Sequence, residues 1–217
     1  MSAGMNTPPF IPADHLGAVN RALTTTTRGG EELRVLVVER SYDADPDEVW
    51  DALTAKERIP RWLMPVTGDF EVGGRYQLEG NAGGEILACD RPKLLSITWA
   101  YGDMMSWVDA TLTAAGGRTL LRLEHSAPVP PEQWKEFGPS AVGIGWEQML
   151  LGLALHLSAP EAEKMDPMSP DALPAMIEHT QGSAAAWVEA DIAFGTSPDQ
   201  ARAAGERCVA AYTAMPD

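Results

Sequence analysis

Apolar positions are scattered over the first thirty residues and then become regular. Residues 1–32 carry Pro8, Pro9 and Pro12, four threonines over 24–27, and Gly29-Gly30. So little periodicity predicts an extended arm, with one short helix over 13–22 capped by Asp14. Residues 33–42 are rich in Val and Leu and alternate at their end, which predicts a first strand. Asp45-Pro46-Asp47-Glu48 then supplies an N-cap acid, a proline suited to the first helical position and acids for the first turn. A short helix over 46–54 follows from this, with Val49, Trp50 and Leu53 on one face. A second one, over 56–62, ends at Trp62-Leu63-Met64, where Pro65 stops it.

The middle of the chain predicts short strands broken by glycine. Phe70-Glu71-Val72-Gly73-Gly74-Arg75 reads as a turn between strands, and Asp90-Arg91-Pro92 separates strands over 85–89 and 93–99. Strands over 105–114 and 118–125 flank Ala115-Gly116-Gly117 as a hairpin. A period of two turns Thr119, Leu121, Leu123 and His125 inward and Arg118, Leu120, Arg122 and Glu124 toward water.

Beyond Pro130-Pro131 the period becomes helical. A short turn over 132–137 precedes a helix over 140–157, with Val142, Trp146, Met149, Leu150, Leu153 and Leu157 along one stripe. Gly143, Gly145 and Gly152 weaken that helix by roughly 1 kcal/mol each against alanine. Either a ligand passing close to its backbone or close packing against a sheet accounts for them. Two further helices follow, one beginning at 171–174 and running to Phe194, the other led by Ser197 as N-cap and Pro198. Both are alanine-rich and must bury one face, on the core or across a twofold partner.

Charge narrows the function. With 31 acidic and 16 basic residues the chain carries −15 and has no basic run. Nucleic acid and anionic membrane surfaces both need a positive field, so neither is an expected partner. No positive-then-apolar leader opens the chain, and the apolar stretch 149–157 is too short to cross a bilayer. Cys89 and Cys208 lack metal-ligand spacing and read as reduced thiols in a cytoplasmic protein. Histidines at i and i+4, a phosphate loop and a nucleophile elbow are all missing from the sequence. No metal or cofactor is expected.

Several short segments, in order, resemble the START-like (SRPBCC) superfamily, within it the branch containing the C-terminal domain of the heat-shock chaperone ATPase activator. They are Val38-Glu39-Arg40, the segment 45–54 ending in Ala52-Leu53-Thr54, Arg61-Trp62, the strand-turn-strand 68–76, the paired strands 84–99, 121–126, and Gly145-Trp146. The resemblance implies an α+β helix-grip fold, a curved antiparallel sheet around a long C-terminal helix, over residues 33–158. Residues 1–32 would be an N-terminal arm and 159–217 an acidic helical extension, either of which could support a homodimer.

The resemblance also implies a cavity between sheet and long helix. From the short helices and early strands it would be lined by Trp62, Phe70 and Tyr76, and from the central strands by Trp99, Trp107, Leu121, Leu123 and His125. The long helix would add Trp146, Met149, Leu150 and Leu153. Aromatic walls with few polar groups suit a small apolar or aromatic ligand. His125 could hold a ligand hydroxyl or act as a base; a histidine bonded to backbone explains the same pattern. Arg75, Arg118 and Arg122 are expected to be solvated or paired with nearby acids. Noncatalytic ligand binding is the reading favoured, because no set of titratable residues converges. A cyclase- or hydratase-like enzyme using the same cavity and a chaperone-regulating interaction module remain as alternatives.

Overall fold

The computed structural model describes residues 10–214. In chain order these form α1 (Pro12–Gly17), β1 (Val19–Arg28), β2 (Glu31–Tyr42), α2 (Pro46–Thr54), a 3-10 turn at Ile59–Arg61, β3 (Val66–Gly68), β4 (Arg75–Leu78), β5 (Gly83–Asp90), β6 (Leu94–Tyr101), β7 (Met104–Ala115) and β8 (Arg118–Ala127). Helices α3 (Pro131–Phe137), α4 (Ser140–Ser158), α5 (Leu173–Phe194) and α6 (Pro198–Thr213) complete the chain. The eight strands form one sheet in the order β1-β2-β8-β7-β6-β5-β4-β3. Neighbours from β3 to β7 and the β7–β8 hairpin pair antiparallel. This is the α+β arrangement expected of a helix-grip fold. No described helix is long and apolar enough to cross a membrane.

Two compact units emerge, and β2 and α4 contribute residues to both. The first comprises residues 39–127 and 149–165 and holds the sheet from β3 to β8. Asp45 caps α2 as expected, its Oδ1 accepting from the Glu48 amide at 2.9 Å. The following short helix shrinks to one 3-10 turn around Pro60. On β8, Thr119, Leu121, Leu123 and His125 are buried and the alternate set is more exposed, as the period of two predicts.

The second unit takes residues 10–38, 128–148 and 166–214 of the described chain. The expected helix over 13–22 ends at Gly17, and Asp14 is not its cap: Ile11 holds that position without a side-chain bond. Residues 19–28 instead form β1, because Gly29 and Gly30, at φ 60° and 87°, turn the chain back onto β2. Two successive residues at positive φ make the hairpin turn whose twist matches the strands, a conformation glycine adopts without strain.

The single apolar stripe expected on α4 is also corrected. Val142 is exposed, whereas Ile144 and Glu147 on other sides are buried. The physical reason lies in α5 and α6, which pack on this half of the helix: Ile144, Ala184 and Cys208 share one core cluster. Ser197 occupies the N-cap of α6 in an extended conformation, yet its hydroxyl makes no capping bond.

Candidate functional site

Strand register in the first unit gathers the expected residues row by row. Ile86 on β5 faces Ile97 on β6, which faces Val108 on β7, which faces His125 on β8. Neighbouring rows place Trp99 opposite Ser106, Leu95 opposite Ala110 and then Leu123, and Leu112 opposite Leu121. Side chains at paired positions share a face, so β5 to β8 present one largely apolar surface interrupted by Ser106, His125 and Thr119. Tyr76 continues it in a cluster with Ile59, Val66, Leu78 and Ile86, against which Phe70 and Trp99 pack.

Trp107 does not join this face. It pairs with Thr98 and Ser126, one residue out of phase with Ser106 and Val108, and so points to the opposite side. Trp62 is buried with its indole N–H donated to the Ala52 carbonyl at 2.9 Å. From α4, Leu150 and Leu153 are buried and Met149 is half-buried, and the Leu150 carbonyl accepts from Tyr42 Oη at 3.3 Å. Trp146 is buried too, in the second unit.

The glycines of α4 are met by protein atoms. A Cβ on Gly152 would lie 2.7 Å from the Trp62 carbonyl oxygen, and one on Gly143 would lie 2.2 Å from Trp187 Nε1. One on Gly145 would come within 3.2 Å of Tyr212 Oη. Close packing therefore explains their lack of side chains, although at 143 and 145 the packing partners are α5 and α6.

His125 forms the polar centre of the face. Its Nε2 lies 2.8 Å from Ser106 Oγ, and that hydroxyl donates to the Trp99 carbonyl at 2.9 Å. Serine has one proton to give. With that proton on Trp99 O, Ser106 must accept from His125, which places the imidazole proton on Nε2. Burial pushes the histidine pKa down to about 4, so the ring is neutral at pH 7. The Trp99 ring lies 6.4 Å from it, tilted by 58°. Nε2 thus meets a side-chain hydroxyl, and Glu124 on the other face is engaged by Arg122 at 2.7 Å.

Several other polar groups have charged or aromatic partners. Arg118 pairs with Asp43 and Arg122 with both Glu39 and Glu124, as expected of solvated strand arginines. Arg58 reaches Glu48 and Asp51 and also donates from Nε to His156 Nε2 at 3.3 Å. His156 therefore keeps its proton on Nδ1, and burial with the Arg58 charge lowers its pKa. His15 and His179 both lie edge-on to Phe10. Beside β3, β4 and β5 an open groove of about 320 Å³ is lined by Thr67, Arg75, Tyr76, Gln77 and the strand glycines. Its glycines have no room for a side chain: a Cβ on Gly84 would stand 2.1 Å from the Thr98 carbonyl oxygen.

Sequence reasoning missed a buried arginine and a buried ion pair. Arg40 is buried on the same strand face as Val38 and Tyr42, its guanidinium 5.6 Å from the tyrosine ring. Its position two residues from each could have drawn notice. Arg21 and Glu147, 126 residues apart, form a buried ion pair that no local pattern announces. Among the described residues no cluster of three or more His, Cys, Asp or Glu side chains is placed to hold a metal ion.

Solved structures give close matches in fold. CalU16 from Micromonospora echinospora is 35% identical in its crystal structure, covering 78% of this chain and 98% of that one at a TM-score of 0.62. Its solution structure, 33% identical over 82% and 97% of the two chains, gives 0.66. Protein MLL2253 from Mesorhizobium loti is 34% identical over 59% of this chain and 98% of its own, at 0.51. No curated protein matches. The family model described as activator of Hsp90 ATPase homolog 1-like protein matches residues 43–158, just over half of the sequence. The chain belongs to that family.

Proposed function

We propose that this ligand- or partner-binding module holds a small apolar or aromatic molecule on the inner face of β5 to β8, without turning it over. The observation that carries the reading is a buried histidine, bonded to a serine, set in a face that is otherwise mostly Leu, Ile, Val, Ala and Trp. Such a face gains about 25 cal/mol per Å² of apolar surface removed from water. One imidazole supplies selectivity more than strength, since a neutral hydrogen bond contributes about 1 kcal/mol net.

The same geometry argues against proton transfer. A general base works best with a pKa near the working pH, and burial holds His125 at about 4. Nε2, which donates to Ser106, is in that tautomer no proton acceptor. Kinship with CalU16 and with the Hsp90-activator family supports a binding role without naming the bound molecule.

The test is a titration of fatty acids, flavonoids and small polyketides followed by tryptophan fluorescence. Binding should saturate at micromolar levels and weaken in Trp99→Ala. His125→Ala should cost about tenfold for ligands with a hydroxyl and little for hydrocarbons. Quenching by no compound below millimolar concentration would sink the proposal. Turnover lost in His125→Ala would transfer the protein to the cyclase- or hydratase-like class.

A further inference from the structure

The two edges of the sheet are unlike each other. At one end stands β3, three residues long and preceded by Pro65. Short strands and prolines are the usual protections of an edge, which otherwise offers a row of unpaired N–H and C=O groups. At the other end stands β1, ten residues long, with neither a proline nor a lysine in Val19–Arg28. No strand pairs with its outer edge among the described residues.

Exposure makes the contrast sharper. From Thr24 to Arg28 every residue of β1 is exposed, as are Gly29, Gly30, Glu31 and Glu32 beyond it. Consecutive exposed residues in a strand mean that neither face of this ribbon is covered. A two-stranded ribbon in water is marginal by itself. Nevertheless its chemistry is committed to the strand conformation: four β-branched threonines in succession and a two-glycine turn of matching twist.

Charge and topology indicate what completes it. In a chain of net −15, β1 contains no acid, and its charged residues are Arg21 and Arg28. It is thus a place where a second strongly acidic chain can approach without like-charge repulsion. Within this chain's own sheet β3 is too short to serve as the complementary edge. The strand of matching length is β1 itself. Pairing like with like about a twofold axis closes both long edges at once, whereas a heterologous contact would leave one open.

We propose that β1 is an intermolecular edge, pairing antiparallel with β1 of a second copy so that the threonine runs lie across the twofold axis. The ligand reading is independent of this, since β1 belongs to the unit that does not carry His125.

Sedimentation equilibrium on the full chain tests it, with Thr25→Pro and Thr26→Pro. In a strand, adjacent amides point to opposite edges, so one proline strikes the β1–β2 ladder and the other the outer edge. The expected result is a dimer in the parent, weakened at least about a hundredfold by the outer-edge proline with an unchanged circular-dichroism spectrum. In a Cys89→Ser background, single cysteines placed across 24–27 should cross-link between copies most readily nearest the twofold axis. A parent that stays monomeric at every accessible concentration overturns the proposal, including one that captures an extended peptide of another sequence. So does a dimer that neither proline weakens and no cysteine in the run cross-links.

Discussion

Replacing Arg21 with alanine should destabilise the second unit far more than loss of an ordinary surface ion pair. Arg21 Nε donates to Glu147 Oε1 at 2.7 Å and its terminal nitrogen to Oε2 at 2.5 Å, a two-pronged contact. The same guanidinium reaches the carbonyls of Val19 at 2.8 Å and Leu16 at 3.3 Å. Side-chain exposure decides the scale: 10% for the arginine and 0% for the glutamate. Exposed pairs contribute about 0–1 kcal/mol, but removing one member of a buried pair strands a charge and costs about 3–5 kcal/mol. That is a large part of the 5–15 kcal/mol, roughly, that a domain has in total. Urea unfolding at pH 7 of Arg21→Ala, Glu147→Leu and Arg21→Met/Glu147→Leu separates the terms. Each single variant should lose several kcal/mol, and the double variant less than either, because an apolar pair leaves no stranded charge. A loss below about 1 kcal/mol in Arg21→Ala, or costs that simply add, would refute the reasoning.

The remaining predictions are local. Gly143→Ala gains about 1 kcal/mol of helix propensity, but its Cβ would meet the fully buried Trp187 at 2.2 Å. Overpacking costs about 1–3 kcal/mol, so thermal unfolding should show a net loss of stability. Asp45→Ala should cost about 1 kcal/mol, since its Oδ1 accepts from the Glu48 amide, whereas Ser197→Ala should change the melting temperature little because that hydroxyl makes no cap bond. His125 is held near pKa 4 when folded against about 6.5 when unfolded, so the unfolded chain binds more protons between those values. Its contribution is complete above pH 6.5 and falls by about 3 kcal/mol as the pH drops to 4; in His125→Asn that part of the slope should vanish in pH-dependent denaturation.

How much of the fold was legible follows from how local each signal is. Asp45-Pro46 declares a helix start within four residues, and Thr119 to His125 declare a strand face by simple alternation; the fold has both. β1 was hidden because threonine is both polar and β-branched: by polarity 24–27 reads as an arm, and only the pairing onto β2 through Gly29-Gly30 makes it a strand. The surroundings of α4 were hidden for a different reason. Periodicity locates the apolar residues of a helix but not the number of partners that cover it, and here α5 and α6 take sides that a single-stripe reading gives to water. Trp107 fails on parity: one residue along β7 separates it from the face shared by Ser106, Val108 and Ala110.

His125 shows where sequence reading stops and why. Alternation with Leu121 and Leu123 suffices to turn it inward, but its chemistry depends on Ser106, nineteen residues away on a neighbouring strand. Without Ser106 and its bond to Trp99 O, the ring could donate or accept from either nitrogen, and base catalysis and simple hydrogen bonding would be equally open. With that bond, one tautomer is selected and burial keeps it neutral. A serine at 106 has no distinguishing context in the sequence, because its role is created by a register that places Val108 opposite His125 and Trp99 opposite itself. Ser106→Ala is therefore the variant that separates inward placement from chemical assignment. It removes the hydroxyl, leaves Nε2 buried and without that partner, and should lower stability by about 1–3 kcal/mol. If Ser106→Ala instead leaves both stability and ligand selectivity unchanged, the serine does not set the tautomer and the binding argument loses its polar anchor.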